Sequence, residues 1–132
     1  AKTENVESFV KFIPAQPKEK LPALYQQADI FLFTSIWPEP FGRVIVEAMA
    51  SGVAVVGTCV GGAAEILIEN ENALTFPAED AMTLAEQIKK LMNSPELRTH
   101  MANSGRKTAV NKFDLERMTT EIGSYLESLI HS

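Results

Sequence analysis

The sequence predicts an α/β fold in which helices flank a parallel sheet, followed by a helical extension at the carboxyl end. Short apolar runs alternate with segments of helical periodicity up to Asp80, which is typical of a parallel sheet with crossover helices. The run Ile30–Phe33 is apolar at every position, as expected for a strand that is covered on both faces. Beyond Asp80 only helical periodicity remains. These observations indicate a Rossmann-like fold, and a chain of 132 residues has room for one domain.

The order of the elements follows from where the apolar runs stop. A proline ends the first run, and Pro22 is tolerated in the first turn of the helix that follows. Gly52 ends a helix that is apolar almost all round, and we therefore expect that helix to be buried. The predicted elements are strands at 10–13, 30–33, 53–56 and 73–76, and helices beginning near Leu21 and spanning 41–51 and 64–68.

Three apolar stripes at helical spacing follow Asp80. We expect each of them to face a core, because stripes of this kind are far more often core-facing than functional. They consist of Leu84, Ile88 and Leu91, of Leu97, Met101 and Ala109 beyond a break at Pro95, and of Leu115, Met118, Ile122, Tyr125 and Leu129 in a last helix.

The charge of the chain excludes several classes of partner. A formal net charge of −5 argues against a nucleic-acid-binding protein and against a peripheral membrane protein, since both normally carry a basic stripe. Arg43 is the only cation between Leu21 and Ile88, a segment that contains nine acidic residues. A phosphate site in this segment therefore has to rely on backbone donors.

Cysteine, histidine and the amino terminus give further expectations. Cys59 is the only cysteine, so no internal disulfide forms, and we expect a buried, inert thiol and a cytoplasmic setting. His100 and His131 lie far from the glycine-rich loops, and no cluster has zinc-site spacing.

The apolar stretch 44–64 contains Glu47 and Gly52, which argues against a membrane span. Without an initiator methionine or a targeting segment, the chain is expected to be cut from a longer one.

The segment 39–47 is the most informative one for function. It joins the carboxyl end of a buried strand to the amino end of a helix, which is where ligands bind in open α/β sheets. Free backbone N–H groups near Gly42, Arg43 and Val44, together with the helix dipole, favour a phosphate group. Gly61 and Gly62 repeat the strand-then-glycine arrangement one strand later, and their lack of a side chain permits close approach to a sugar or phosphate.

Three side chains of this region each have two possible roles. Glu47 lies one turn into an otherwise apolar helix, where a carboxylate needs a partner; that partner is either Arg43 or the hydroxyl groups of a ligand. Glu39 lies in a stiff segment between two prolines, and either stabilises the helix start or contacts a ligand. Trp37 is either a loop anchor or a stacking surface. No Gly-x-Gly-x-x-Gly or Walker pattern supports a dehydrogenase or a P-loop protein.

Several motifs occur in a fixed order along the chain. They are Ala28-Asp-Ile-Phe-Leu-Phe-Thr-Ser35, Glu39-Pro-Phe-Gly42, Glu47-Ala-Met-Ala-Ser-Gly52, Val55-Val56 and Gly61-Gly62-x-x-Glu65. In this order they resemble the C-terminal domain of the family 4, or group 1, retaining glycosyltransferases, which have the GT-B architecture of two facing Rossmann-like domains. The resemblance runs from Val10 to the end of the chain, with Glu39 and Glu47 as the family's E-x7-E signature.

The resemblance implies a donor site for a nucleoside-diphosphate sugar, without a metal or other cofactor. The enzyme would transfer a hexosyl group with retention of configuration. Glu47 would bind the ribose hydroxyls, and Glu39, the implied catalytic residue, would contact hydroxyls of the transferred sugar. The other implied contacts are the amides of Phe41, Gly42, Arg43 and Val44 to diphosphate or sugar, with Gly61 and Gly62 in the pocket wall.

The sequence also departs from the family. Ala54 stands where proline is usual, and Asn72-Ala73 where a glycine is usual. The family's pyrophosphate-binding Arg and Lys have no counterpart, and the N-terminal domain that would bind the acceptor (a sugar, lipid or glycan) and provide any contact with the inner face of the membrane is absent. We therefore expect a partial donor-binding domain, 1–132, that is inactive alone. Its segment 113–132 would pack toward the missing domain, and its unpaired sheet edges favour self-association.

Two other hypotheses stay open. One is a nucleotide-sugar-binding sensor or regulatory subunit that never meets an acceptor. The other is a different enzyme of the same architecture, such as an epimerase or a glycogen-type phosphorylase. A phosphorylase needs a lysine for pyridoxal phosphate, and no lysine falls between Lys20 and Lys89.

Overall fold

A computed structural model describes residues 4–130 and confirms the predicted α/β class. Within that range it has three parallel strands, six α-helices and two short 3-10 helices, Glu7–Phe9 and Lys18–Lys20. The strands are β1 (Ile30–Phe33), β2 (Ala54–Gly57) and β3 (Leu74–Thr75). The helices are α1 (Leu21–Gln26), α2 (Arg43–Ala50), α3 (Ala63–Ile66), α4 (Ala81–Asn93), α5 (Pro95–Lys112) and α6 (Leu115–Ile130).

The central strand of the sheet is β2, which pairs in parallel with both β1 and β3. Ile30 lies opposite Ala54, and Val56 lies opposite Leu74. All four residues of β2 are buried. Because the strands are parallel, their carboxyl ends lie at one edge of the sheet, and the loops 34–42 and 58–62 both begin there. In parallel α/β sheets this is the edge where ligands bind.

Helices cover both faces of β2. Val55 belongs to a core cluster with Met49 of α2, whereas Val56 belongs to a second cluster with Leu91 of α4. Successive side chains of a strand point to opposite faces, so the two clusters lie on opposite sides of the sheet. Full burial of a side chain such as Met49 stabilises the fold by about 1.5–3 kcal/mol. The two clusters therefore fix β2 and the loop that follows it.

Strand β1 lies at the edge of the sheet. Phe33 is buried, but Leu32 is 41% exposed. The prediction that this strand is covered on both faces is therefore wrong at Leu32. The reason is that α4, which covers this face of the sheet, packs mainly on β2 and β3, while β1 is an edge strand among residues 4–130. Self-association through that edge stays a prediction.

The first predicted strand, at 10–13, does not form. Val10 follows the 3-10 helix Glu7–Phe9 with an extended backbone, φ −110° and ψ 124°, but it pairs with no strand of the described residues. Phe9 and Phe12 are 86% and 89% exposed. A strand is stabilised by hydrogen bonds and side-chain pairs with a neighbouring strand. Without a neighbouring strand, the apolar run 10–13 is not stabilised as part of the sheet.

Helix α2 is shorter than the predicted 41–51, because Gly42 precedes it in the left-handed conformation with φ 81°. Ile45 is fully buried, whereas Val44 is 40% exposed. The prediction that this helix is buried all round is therefore wrong. It packs on the sheet with one face, and Glu47 lies on the partly open side.

The helical part begins with two capped helices. The carboxylate of Asp80 accepts hydrogen bonds from the backbone of Met82 and Thr83, at 3.1 and 3.0 Å, and thereby caps α4. The predicted break is confirmed, since Ser94 caps α5 and Pro95 occupies its first turn. No helix within residues 4–130 is long and apolar enough to cross a bilayer.

Helix α6 has no buried residue in the described part of the chain. The predicted apolar stripe is exposed, from 48% at Met118 to 68% at Leu115. The prediction that this stripe faces a core is therefore wrong for residues 4–130. That the segment 113–132 packs toward a further domain stays a prediction, and residues 131 and 132 lie outside the described range.

Candidate functional site

The loop 34–42 carries the predicted site from the carboxyl end of β1 to α2, and it is held at two points. The hydroxyl group of Thr58, a buried residue just after β2, donates a hydrogen bond of 2.6 Å to the carbonyl oxygen of Ser35. The backbone N–H of Gly62 donates one of 2.7 Å to the carbonyl oxygen of Glu39. The loop that follows β2 therefore supports the loop that follows β1.

The glycine pair makes this support possible. A β-carbon at Gly61 would collide with the backbone of Pro38 and Glu39, and one at Gly62 would collide with that of Pro40 and Phe41. Gly61 also has a φ of 57°, which residues with side chains rarely adopt. The glycines thus permit backbone to approach backbone. Their predicted place in the wall of a ligand pocket stays a prediction.

The amino end of α2 presents backbone donors. Among residues 4–130 we find no hydrogen-bond acceptor for the N–H groups of Phe41, Gly42, Arg43 and Val44, and no side chain caps the helix. The first backbone bond runs from Ile45 to the carbonyl of Gly42, at 2.9 Å. Unpaired donors at the positive end of a helix dipole favour an anionic or oxygen-rich ligand.

Glu47, one turn into α2, has two partners. Its Oε1 atom is 2.9 Å from Arg43 Nε, and its Oε2 atom accepts a hydrogen bond of 3.1 Å from the hydroxyl group of Tyr25 on α1. We call Tyr25, Arg43 and Glu47 the carboxylate clamp. The Arg43 alternative predicted from the sequence is therefore present. The Tyr25 contact was not predicted from the sequence, because Tyr25 lies on another helix and 22 residues before Glu47.

The clamp still has room for a ligand. An ionised carboxylate has about four lone-pair positions on its two oxygens, and Tyr25 and Arg43 use two of them. The Glu47 side chain is 29% exposed, so solvent and ligands reach it. Partial burial is the main cause that raises the pKa of Tyr25 above its usual value, and the neighbouring Glu47 carboxylate raises it further. The phenol therefore stays protonated at neutral pH and donates to Glu47.

Two grooves flank the clamp. The α1 groove has a volume of about 430 Å³ and is lined by Lys18, Leu21, Pro22, Tyr25, Gln26, Arg43, Glu47, Ala50 and Ser51. The α6 groove has a volume of about 440 Å³ and is lined by Phe41, Arg43, Val46, Glu47, Ala50, Lys112, Phe113, Arg117, Met118 and Glu121. The fold thus brings three cations from distant segments, Lys18, Lys112 and Arg117, to the grooves beside the clamp. In the sequence between Leu21 and Ile88, Arg43 is the only cation.

Glu39 and Trp37 lie on the loop 34–42, whereas Glu47 lies on α2. The Glu39 side chain is partly buried, and its carboxylate accepts no hydrogen bond from the described part of the chain. It does not cap α2. Trp37 is 72% exposed, so the loop-anchor hypothesis for its ring is wrong. A stacking role for Trp37 stays a prediction.

The remaining ionisable candidates lie apart from this region. Cys59 is exposed on the loop after β2, so the prediction of a buried thiol is wrong; the chain has left the sheet at that point. His100 is exposed on α5, and His131 lies outside the described residues. Between Glu4 and Ile130 no group of three or more His, Cys, Asp and Glu side chains could hold a metal ion.

The sequence and the fold recur in known proteins. Residues 1–108 match the model of the family described as "Glycosyl transferases group 1". Spore coat protein SA of Bacillus subtilis is 32% identical over 121 residues, which is 91% of this chain and 31% of that protein. The chain therefore spans about a third of the length of this relative.

Two solved structures are similar over nearly the whole chain. Anabaena HepE in complex with UDP-glucose superposes with a TM-score of 0.88 at 31% identity, covering 96% of this chain and 34% of HepE. The sucrose-phosphate synthase of Thermosynechococcus elongatus superposes with a TM-score of 0.90 at 29% identity, covering 98% of this chain and 32% of that enzyme.

Proposed function

Because the chain belongs to the group 1 glycosyl transferases, we propose that it forms the donor-binding part of a hexosyltransferase. The donor is a nucleoside-diphosphate sugar, and the configuration of the transferred sugar is retained. The acceptor, a sugar, lipid or glycan, binds to a further domain. No metal or other cofactor takes part, and the enzyme works in the cytoplasm.

One observation carries this proposal. Four backbone N–H groups, at residues 41–44, have no acceptor among residues 4–130, and they adjoin a carboxylate that two donors contact. Amides at a helix start suit a diphosphate, and a carboxylate suits sugar hydroxyls, because charged acceptors make stronger hydrogen bonds than neutral ones. HepE, which is similar over 96% of this chain, has been crystallised with UDP-glucose.

The roles of the side chains follow from this arrangement. Glu47 accepts hydrogen bonds from the ribose hydroxyls of the donor. Glu39, on the loop beside the helix start, contacts hydroxyls of the transferred sugar and is the catalytic residue. The amides of Phe41, Gly42, Arg43 and Val44 bind the diphosphate or the sugar, and Gly61 and Gly62 form the adjoining wall.

The balance of charge predicts weak binding by this chain alone. A diphosphate brings two to three negative charges to a segment whose one cation, Arg43, is already paired with Glu47. The helix dipole supplies about 0.3–1 kcal/mol at an exposed site and up to about 2 when partly buried. Each charge-assisted hydrogen bond that is missing costs about 1.5–3 kcal/mol. Besides Arg43, the residues that line the α1 groove include one further cation, Lys18.

The proposal is tested by titrating the chain with UDP, GDP and ADP while its backbone amides are followed by NMR. We expect the amides of residues 41–47 to shift, with dissociation constants in the high micromolar range or weaker, and no sugar transfer from UDP-glucose. Low-micromolar binding or transfer would contradict our account of the missing cations. Shifts confined to other parts of the chain would contradict the site itself.

A further inference from the structure

The hydrogen bond between Tyr25 and Glu47 connects two elements that are far apart in sequence. Tyr25 belongs to α1 and Glu47 to α2, 22 residues later, and the hydroxyl-to-carboxylate distance is 3.1 Å. The Tyr25 ring itself is held, because it packs edge-on against Phe31 of β1 with ring centres 5.6 Å apart. The donor that reaches Glu47 is therefore fixed to the sheet.

The two donors in the clamp differ in how firmly they are held. The Arg43 side chain is 68% exposed and contacts Glu47 through a single nitrogen, and exposed ion pairs of this kind restrain a carboxylate only weakly. A glutamate side chain rotates about three bonds, and restricting them costs conformational entropy. Tyr25 packs against the first core cluster, so its hydroxyl group is held more firmly than the exposed guanidinium of Arg43.

The number of free acceptor positions on Glu47 suits a pair of neighbouring hydroxyl groups. Tyr25 donates to Oε2 and Arg43 to Oε1, which leaves a free lone-pair position on each oxygen of Glu47. A ribose ring has two adjacent hydroxyls, and each can donate to one of these positions. A ligand therefore binds without displacing either partner of Glu47.

We propose that Tyr25 is a positioning residue, whose hydroxyl group holds the Glu47 carboxylate in the orientation that receives the two ribose hydroxyls. The proposal rests on the role assigned to Glu47 under the proposed function. The Tyr25 hydroxyl group already restricts the Glu47 side chain in the folded protein. Binding therefore costs less side-chain entropy, and the affinity for the donor rises. We expect the gain to amount to about three- to tenfold in the dissociation constant.

The test compares Tyr25→Phe with the unaltered chain in binding UDP and 2′,3′-dideoxy-UDP, followed by NMR at up to millimolar ligand. Tyr25→Phe keeps the ring against Phe31 and removes only the donor. We expect it to weaken UDP binding by about three- to tenfold and to leave dideoxy-UDP binding unchanged within twofold. Tyr125→Phe removes a hydroxyl from an exposed ring on α6 and serves as the matched control, with no effect on either ligand.

A double-mutant comparison tests whether Tyr25 affects UDP binding through Glu47. In a Glu47→Ala background, Tyr25→Phe should cause no further loss of UDP affinity, because the acceptor that the Tyr25 hydroxyl group positions is gone. A further loss equal to that in the unaltered chain would overturn the positioning role. Equal loss of UDP and dideoxy-UDP in Tyr25→Phe would overturn it as well, since it would indicate general damage to the site.

The outcomes separate this inference from the function on which it rests. If the unaltered chain binds UDP and dideoxy-UDP equally, the ribose role of Glu47 fails, and the positioning role fails with it. If the unaltered chain prefers UDP and Tyr25→Phe keeps the same preference, the ribose role stands and only the role of Tyr25 is overturned.

Discussion

Glu39 and Glu47 lie eight residues apart in the sequence, but the fold holds them in opposite ways. The carboxylate of Glu47 is bound by Arg43 and Tyr25. The carboxylate of Glu39 has no hydrogen-bond partner between residues 4 and 130, while its backbone is fixed by Trp37, at 2.8 Å, and Gly62, at 2.7 Å. Among the described residues, Glu47 is therefore held through its side chain, whereas Glu39 is held only through its backbone.

This difference suits two kinds of recognition. Under the proposed function, a carboxylate with a fixed orientation suits a part of the donor that is always the same, such as the ribose. A carboxylate without protein partners is available for hydroxyls whose arrangement differs between sugars. We therefore expect changes at Glu47 to affect all donors, and changes at Glu39 to depend on the sugar.

The largest effect on binding is expected for Glu47→Ala. In the complete enzyme this variant should lose about 2–4 kcal/mol of donor binding or transition-state stabilisation, because charge-assisted hydrogen bonds are lost. Steady-state kinetics with a UDP-sugar donor measures the loss. The free energy of unfolding should fall by about 1–2 kcal/mol, since the largely exposed Arg43 pair contributes little and the main loss is the partly buried hydrogen bond from Tyr25.

The control for Glu47→Ala is Glu86→Ala. Glu86 is an exposed acid on α4 and lines neither of the two grooves that flank the clamp. We expect donor affinity within twofold of the unaltered enzyme. Activity of Glu47→Ala within threefold of the unaltered enzyme, with folding intact, would remove the ribose role.

The support of the Glu39 loop is tested by Gly62→Ala. The added β-carbon would collide with the backbone of Pro40 and Phe41, and backbone cannot move aside as a flexible side chain does. We expect a loss of about 3 kcal/mol in the free energy of unfolding, measured by urea denaturation. Gly123→Ala is the matched control, because within residues 4–130 its added β-carbon meets no atom within 4 Å beyond its chain neighbours and the adjoining helix backbone. It should leave stability unchanged or raise it by up to about 1 kcal/mol.

A smaller and more selective effect is expected for Glu39→Gln. The variant keeps the size of the side chain and removes its charge, so hydrogen bonds to sugar hydroxyls weaken. Turnover or selectivity among UDP-sugars should fall, while affinity for UDP itself changes by less than about twofold. Competition titration with UDP and UDP-glucose distinguishes the two quantities. Equal loss for both ligands would refute the division of roles between Glu39 and Glu47.

The smallest effect concerns pH. Burial and the Glu47 carboxylate raise the pKa of Tyr25 in the folded chain, so the folded state holds the phenolic proton more tightly than the unfolded state. The resulting stability is fully present below the usual tyrosine pKa of about 10 and is lost as pH rises through the folded pKa. Thermal unfolding between pH 8 and 11 should therefore decline less steeply for Tyr25→Phe than for the unaltered chain. Parallel curves would contradict the shift.

Local patterns predicted much of the fold. The strand Ile30–Phe33 was predicted at its observed bounds, and β2 and α2 differ from their predictions by one or two residues at each end. Gly42 explains the late start of α2, because its left-handed conformation is not helical. The strand at 10–13 was wrong because a strand depends on a neighbour, and an apolar run does not show whether one is present.

The candidate site was predicted less completely. The motif order predicted roles for Glu39, Glu47 and the amides of the α2 start, since these lie within one short segment, and those roles stay predictions. Tyr25 and Lys18 were missed as parts of the site, because they belong to the segment before β1 and reach Glu47 or the groove beside it only after α1 packs against α2. A count of charges along the segment also missed Lys112 and Arg117, which line the α6 groove.

The sequence by itself determined the α/β class, the family and the segment that carries the site, because apolar periodicity, glycine positions and motif order are local properties of the chain. Only the tertiary structure decided how the two acids are held and which stripes are covered. Hydrogen bonds such as Tyr25 to Glu47 and Gly62 to Glu39 join residues that are 22 and 23 positions apart. Their formation depends on the packing of α1, α2 and the two loops, so spacing along the chain does not reveal them.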